Sequence, residues 1–186
     1  MPDHDPTVLR AIAHPTRNRI LGELAAAGPL RAADLARELD IPANRASFHL
    51  RQLAKYGLIE EDAAAARDKR DRVWRLSSKA DLDVDLGAME AAPGGRTAAG
   101  VFRRSAASWG HHIVDSALSE EKPPETFRST SEHAVKLTKA EARELTLALH
   151  AVVDEWAERT RADRDTDRRT YLLYSVLQPY PDVGED

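Results

Sequence analysis

Cysteine is absent from the 186 residues of this chain. The absence excludes disulfides, thiolate metal ligands and cysteine nucleophiles, and it fits a reducing compartment such as the cytosol. Aromatic residues make up only 5% of the chain, whereas 10 Pro and 9 Gly are ordinary numbers for a globular protein. The composition predicts one or two domains of ordinary size that depend on no thiol.

Long apolar runs and catalytic motifs are absent as well. No stretch approaches the roughly 20 apolar residues of a membrane helix, and the first ten residues, MPDHDPTVLR, are charged, unlike a signal peptide. The sequence has no glycine-rich phosphate loop, no G-x-S-x-G elbow and no H-E-x-x-H. We therefore expect a cytoplasmic protein with no membrane partner, no enzyme activity and no cofactor.

The charge of the chain is unevenly distributed. The net charge of −4 alone argues against nucleic acid as a partner, but residues 1–78 carry 13 Lys or Arg and 11 Asp or Glu, a balance of +2. Residues 79–186 carry 14 and 20, a balance of −6. Between the halves lies a run of small residues that contains Pro93-Gly94-Gly95, which interrupts helix and strand. The sequence predicts an N-terminal domain, a linker and a C-terminal domain, at 1–79, 80–97 and 98–186.

The N-terminal domain shows helical spacing followed by strand-like spacing. Apolar residues three and four apart predict helices that begin near Val8, Pro15, Leu30 and Ala43. The last of them runs to about Tyr56, and Gly57 stands where a left-handed cap belongs. Two short strands, 58–61 and 73–76, enclose a charged loop. This order predicts a winged helix-turn-helix.

The C-terminal domain is predicted to be a small α+β module of helix, strand, helix and strand. The first helix covers about 98–119, and its apolar face includes Phe102, Trp109 and Ile113. Residues 127–137 alternate like a strand, and Thr138 to Glu141 matches a helix capping box. The helix that follows is predicted to bury Leu145, Ala148 or Leu149, Val152 and Trp156. The last strand, 170–178, is rich in β-branched and aromatic residues. The predicted fold class is therefore α+β.

The helix that begins at Ala43 has an outward face with three cations and no carboxylate. Arg, Asn and Gln side chains pair bidentately with guanine and adenine edges, and the start of such a helix goes deepest into the major groove. We therefore predict that base contacts come from Ala43, Asn44, Arg45 and Ser47. Farther along, Arg51 and Lys55 are predicted to hold phosphates, with Gln52 on the same face. For His49 two roles stay open: a phosphate contact, or packing against the second helix.

The loop between the two strands is the second candidate DNA contact. Arg67, Lys69, Arg70 and Arg72 stand there against Asp68 and Asp71. A basic loop beside a basic helix suits the DNA backbone or the minor groove. The alternative is a solvated hairpin of mixed charge.

Four motifs occur in a fixed order along the N-terminal domain: LRAIAHPTRNRIL, ADLARELDIP, SFHLRQLAKYGLIEE and RVWRL. Through them the stretch Leu9–Leu76 resembles the arsenical-resistance-type (ArsR-like) winged-helix repressors of bacteria. The resemblance implies a homodimer that binds a palindromic operator and releases it when an effector binds. Metal sensors of that family carry a cysteine pair near the third helix, where this chain has Leu30–Leu35. The chain is more similar to members without thiols that carry an added C-terminal domain.

Two further groups of residues have both a functional and a structural interpretation. His111, His112 and Asp115 have a spacing that zinc sites use, but no further ligand is identifiable, so we predict polar surface residues and no metal. Four aromatic residues of the C-terminal domain either line an apolar effector pocket or fill its core; they are Phe102, Trp109, Trp156 and Tyr171.

Together these features predict a DNA-binding transcriptional regulator. We expect a repressor that binds duplex DNA as a homodimer and whose affinity a small-molecule effector modulates. The first helix and the 98–119 helix are the expected dimer elements, because each has an apolar stripe that one domain does not cover. The alternative is a winged-helix module for protein–protein interaction, with the acidic C-terminal domain as a docking surface.

Overall fold

The computed structural model describes residues 8, 11–12, 14–66, 72–77, 90–91, 93–121, 123–162 and 168–181. The chain divides into two units, Met1–Ser116 and Ala117–Asp186. Among the described residues, no helix combines the length and the apolar character needed to cross a membrane.

The first unit consists of helices packed against a small antiparallel sheet. Val8, Ala11 and Ile12 are helical, as predicted. Then follow α1 (Pro15–Ala27), β1 (Leu30–Arg31), α2 (Ala32–Glu38), α3 (Ala43–Lys55), β2 (Ile59–Glu61), β3 (Val73–Leu76) and α4 (Gly95–Leu118). The strand order is β1-β3-β2, with Trp74 of β3 opposite Leu30 on one side and Glu61 on the other.

Helix α1 has the boundaries that its sequence predicts. Pro15 stands at the first turn, where its missing N–H is not needed. The Nδ1 atom of His14 accepts a hydrogen bond from the backbone N–H of Thr16, at 3.2 Å. At the other end Gly28 has φ +81°, and its N–H donates to the carbonyl of Leu24 at 3.1 Å. Both ends of α1 are therefore capped by local residues.

The turn between α2 and α3 is short because its residues suit a sharp reversal. Asp40 has φ +51°, a left-handed conformation that Asp and Asn tolerate better than most residues. The N–H of Ile41 then reaches back to the carbonyl of Ala36, at 3.0 Å. Pro42 follows as the N-cap of α3, and its carbonyl accepts from the N–H of Ala46 at 3.1 Å. The turn thereby sets the direction in which α3 leaves α2.

The core of the first unit lies where the three helices and the sheet meet. Helices α1, α2 and α3 contribute apolar residues to this core. Four of these residues have large side chains that are less than 2% exposed: Ile20, Leu35, Leu50 and Leu53. Trp74 closes the sheet side, and Ala98 brings the first turns of α4 into the same cluster. Since α3 buries one face here, its opposite face points to solvent.

Two predictions for the first unit need correction or extension. Leu30 was expected on a helix but lies in β1, because the Gly28-Pro29 break delays the helix to Ala32 and the edge of β3 is free to pair with residues 30–31. Helix α4 begins at Gly95 and is grouped with the first unit up to Ser116, whereas we expected it in the C-terminal domain. The predicted boundary at 79 lies outside the described residues.

The second unit contains α5 (Lys139–Ala162), which begins with the predicted capping box. The backbone N–H of Thr138 donates to Glu141 Oε2 at 2.7 Å, and the N–H of Glu141 donates to Thr138 Oγ1 at 3.3 Å. These two bonds satisfy donors that the start of a helix otherwise leaves without partners.

The strands predicted at 127–137 and 170–178 are wrong for the single chain. Neither segment has the backbone pairing of a β-strand. Alternation selects a face for each side chain, but a strand forms only where its backbone finds a partner. The predicted buried face of α5 is wrong as well, since Leu149, Val152 and Trp156 are 48%, 54% and 56% exposed.

Replacing Leu53 with Ala tests the core of the first unit. Leu53 is fully buried on α3, so we expect Leu53→Ala to lower the free energy of unfolding by about 2–5 kcal/mol in urea denaturation. The exposed neighbour Lys55 serves as a control, because Lys55→Ala should change it by about 0.5 kcal/mol or less. Equal effects of the two substitutions would contradict this account of the core.

Candidate nucleic-acid interface

The outward face of α3 brings together nearly all the residues predicted to contact DNA on that helix. The exposed residues are Ala43, Asn44, Arg45, Arg51 and Lys55, while Ser47 and Gln52 are partly exposed. The inner face of the same helix consists of buried Ala46, Leu50 and Leu53. Because the inner face of α3 is buried in the core, its outward face points to solvent.

Positive charge is concentrated on this face. Helix α3 has three cations and no carboxylate, and its first turn contains no acidic residue. The Oδ1 atom of Asn44 accepts from the N–H of Arg45 at 2.8 Å, which holds this amide at the start of the helix. The positive end of the helix dipole points the same way, so this end of α3 attracts phosphate.

His49 does not belong to the exposed face. It is 5% exposed, and its ring centroid lies 4.8 Å from that of His14, at the start of α1. Its Nδ1 atom is buried without a hydrogen-bond partner. Of the two roles left open by the sequence, packing against α1 is therefore the one the structure supports, and the predicted DNA contact of His49 is wrong.

The surroundings of the two histidines lower the pKa of both rings and so favour their neutral forms. Burial lowers the pKa of His49, and the neighbouring His14, Arg17 and Arg45 lower it further. Burial and Arg17 lower the pKa of His14, against the opposing effect of a backbone hydrogen bond. Neutral rings suit the contact, because two positive rings at this separation repel each other.

The strands of the hairpin after α3 are balanced in charge. Arg72 Nη1 lies 3.3 Å from Glu61 Oε1, and Arg75 Nη2 lies 2.7 Å from Glu60 Oε1. The described arginines of the hairpin are therefore paired with carboxylates, and the loop between the strands stays a prediction. The other predicted loop contacts, Arg67, Lys69 and Arg70, lie outside the described residues.

Helix α4 forms one side of an open groove of about 390 Å³ in the first unit. Trp109 lines it together with Pro15, Ser105, Ser108 and His112. The two serines were not predicted, although their spacing from Trp109 and His112 places all four on one helix face.

The other predicted pocket residues lie elsewhere. Phe102 packs against the core of the first unit. Trp156 and Tyr171 belong to the second unit and are 56% and 58% exposed. Of the four aromatic residues predicted to line an effector pocket, only Trp109 lines this groove.

The histidines of α4 do not form a cluster with carboxylates. His111, His112 and Asp115 are exposed, and the ring of His112 lies 5.5 Å from that of Trp109. In the part of the chain that the structure describes, no three His, Asp or Glu side chains are arranged to hold a metal ion.

A family model described as a helix-turn-helix domain matches residues 12–62. The match covers α1, the turn at Asp40, the whole of α3 and the first hairpin strand. Residues 12–62 are therefore similar in sequence to helix-turn-helix domains. With the β2–β3 hairpin after α3, the first unit has the architecture of a winged helix-turn-helix, and α3 is the second helix of its helix-turn-helix motif.

Several solved structures resemble the chain at low scores. AntR, an antimony-specific transcriptional repressor, is 24% identical over 60% of this chain and 78% of its own, with a TM-score of 0.34. A variant of Lactococcus lactis ZitR is 19% identical over 77% and 75%, with a TM-score of 0.33. The transcriptional regulator Tm0710 from Thermotoga maritima is 16% identical over 85% and 86%, with a TM-score of 0.33. Scores this low carry no information on what the chain binds, and no curated protein matches it significantly.

Replacing His49 tests the neutral histidine pair. Because the pKa of His49 is lower in the folded chain, the unfolded chain binds more protons in acid. Stability is therefore full above pH 6.5 or so and is lost as the pH falls towards the folded-state pKa. We expect His49→Phe to reduce this loss in urea denaturation between pH 7.5 and pH 5. The exposed His133 is the control, since His133→Gln should leave the pH dependence unchanged, and an unaltered slope in His49→Phe would contradict the assignment.

Proposed function

We propose that this chain is a cytoplasmic bacterial transcriptional regulator, a repressor that binds a palindromic operator as a homodimer and whose DNA affinity a ligand alters. The observation that carries the proposal is the outward face of α3, which combines cations and amides with no carboxylate in the recognition position of a winged helix-turn-helix. The ArsR-like resemblance of Leu9–Leu76 agrees with it.

The positions along α3 suggest a division of roles. A helix enters the major groove of B-DNA, which is about 12 Å wide, with its first residues deepest. Asn44 and Arg45 stand in the first turn and would read base edges. Lys55 lies ten residues after Arg45, about 15 Å along the helix axis at 1.5 Å per residue, and would contact phosphate. Arg51 lies between them on the same exposed face.

The hairpin would contact the DNA beside α3. Arg72 is exposed and paired with Glu61 at the surface, and a surface pair of this kind contributes little to stability. A phosphate would therefore compete readily for the Arg72 guanidinium. Arg67, Lys69 and Arg70 are proposed as contacts on the basis of sequence alone.

A homodimer would place two recognition helices on one face of the duplex. Two-fold symmetry sets their separation at about one DNA turn, roughly 34–36 Å, and a palindromic operator matches that symmetry. Helix α4 offers surface for such pairing, because its apolar stripe, with Trp109, Ile113 and Ala117, is only half-buried.

The groove beside Trp109 supports the ligand-dependent part of the proposal. Its lining joins the start of α1, at Pro15, to the middle of α4. Pro15 directly follows His14, which packs on His49 of the recognition helix. A ligand in the groove would change DNA affinity only if it bound one arrangement of these helices better than another.

Two substitutions on α3 test the DNA-binding proposal. Arg45→Ala should weaken binding to a selected operator about 5- to 150-fold, the equivalent of roughly 1–3 kcal/mol, with little change for mixed-sequence duplex. Lys55→Ala should weaken binding to both duplexes equally and reduce the salt slope by about one. Both are measured as dissociation constants across a salt series, with an operator selected from genomic fragments.

The controls separate loss of contact from loss of fold. Arg143→Ala, an exposed change on α5, should leave DNA affinity unchanged, and all three variants should unfold like the wild type. Identical effects of Arg45→Ala and Lys55→Ala on both duplexes would contradict the assigned roles. A wild-type protein without salt-sensitive duplex binding would favour the alternative, a protein–protein interaction module.

A further inference from the structure

The second unit is rich in apolar residues, yet none of its described residues is buried. Fifteen large apolar side chains between residues 127 and 180 are at least 40% exposed. In the first unit the same residue types form a closed core. The fifteen exposed side chains of the second unit are Phe127, Val135, Leu137, Leu147, Leu149, Val152, Val153, Trp156, Tyr171, Leu172, Leu173, Tyr174, Val176, Leu177 and Tyr180.

The summed exposed area of these side chains is comparable with that of a protein–protein interface. The five aromatic residues of this set are 46–74% exposed, so at about 200 Å² per side chain they alone expose about 600 Å². With the ten Val and Leu residues the total passes the roughly 800 Å² that each partner contributes to a standard interface.

The backbone hydrogen bonding of the second unit is also incomplete. Among the described residues, no backbone–backbone hydrogen bond involves 127–137 or 171–178. The two segments are joined where they begin, because the N–H of Phe127 donates to the hydroxyl of Tyr171 at 3.1 Å. Backbone groups in such segments are available for pairing with another strand.

The segment 171–178 has apolar side chains on both of its faces. With the alternation of a strand, Leu172, Tyr174 and Val176 lie on one side, and Tyr171, Leu173 and Leu177 on the other. A strand of this kind belongs inside a sheet that is covered on both faces. Within the described part of the unit, α5 is the only complete helix, and one helix can cover at most one face. The second face needs a layer from outside this unit.

We propose that a second copy of this chain supplies that layer, so that segments 127–137 and 171–178 become strands of a sheet shared by two copies. Two strands are marginal as a sheet, whereas two copies provide four strands and two α5 helices related by a two-fold axis. Helix α5 carries four Lys or Arg and five Asp or Glu. This near balance lets two copies approach without repulsion and does not suit a strongly charged partner.

This inference rests on the homodimer of the proposed function and assigns its main surface to the second unit instead of the half-buried stripe of α4. It does not depend on DNA binding. The test therefore measures mass without DNA, so that a failed assignment of this surface and a failed DNA-binding proposal give different results.

The experiment compares full-length wild type with Leu173→Glu and Tyr174→Lys, which place a charge on opposite faces of 171–178. Light scattering after size exclusion should give 41.2 kDa for the wild type, twice the chain mass of 20.6 kDa, and 20.6 kDa for both variants. Phe48→Glu, at an exposed apolar residue of the first unit, is the control and should stay dimeric. Amide hydrogen exchange should show protection of 127–137 and 171–178 in the wild type, and at least tenfold faster exchange in the variants.

Each outcome bears on the proposal. A monomeric wild type overturns both the homodimer and this surface. A dimer that persists in both variants, or one whose segments exchange freely, overturns the surface alone and leaves α4 as the interface. A variant that loses the helical circular dichroism of the wild type is judged by the other variant. A mass above that of a dimer contradicts the two-copy sheet, and DNA binding that fails in a proper dimer contradicts only the proposed function.

Discussion

Burial of the inner face of α3 is the interaction on which the rest of the first unit depends. Leu50 and Leu53 meet Ile20 of α1 and Leu35 of α2 in one closed cluster, and each such side chain contributes about 1.5–3 kcal/mol. Because a helix has only one rotational setting that buries these positions, the same contacts set which residues face outward. The cationic face of α3 is therefore a consequence of the core, and a change of core packing would turn that face away from any ligand.

Local patterns predicted the helix boundaries of the first unit well because the signals that set those boundaries act between residues close in sequence. Helical spacing, Pro15, Gly28 and Gly57 each act within a few residues, and all specify the boundaries that the structure shows. Leu30 escaped this reasoning, since its place in β1 depends on Trp74, which lies 44 positions away. The burial of His49 escaped it for the same reason: its neighbour His14 belongs to another helix.

In the second unit, the sequence predicted local features and failed on long-range ones. The capping box of Thr138 and Glu141 is a contact within one turn, and it is present. The alternation at 127–137 and 170–178 predicts strands, and each strand needs a partner strand for its backbone hydrogen bonds. The prediction placed that partner in the same chain. For the candidate site, residue types and helix faces were predictable, whereas the groove at Trp109 required the packing of α4 on Pro15.

The unburied apolar surface of the second unit also has a meaning for the lifetime of the protein. Segments without buried side chains or paired backbone are what proteases and chaperones recognise in unfolded chains. A chain left alone would therefore be cleared faster than a chain whose surface is covered. Turnover, rather than synthesis alone, would then keep the pool of the protein close to the number of copies that have found a partner.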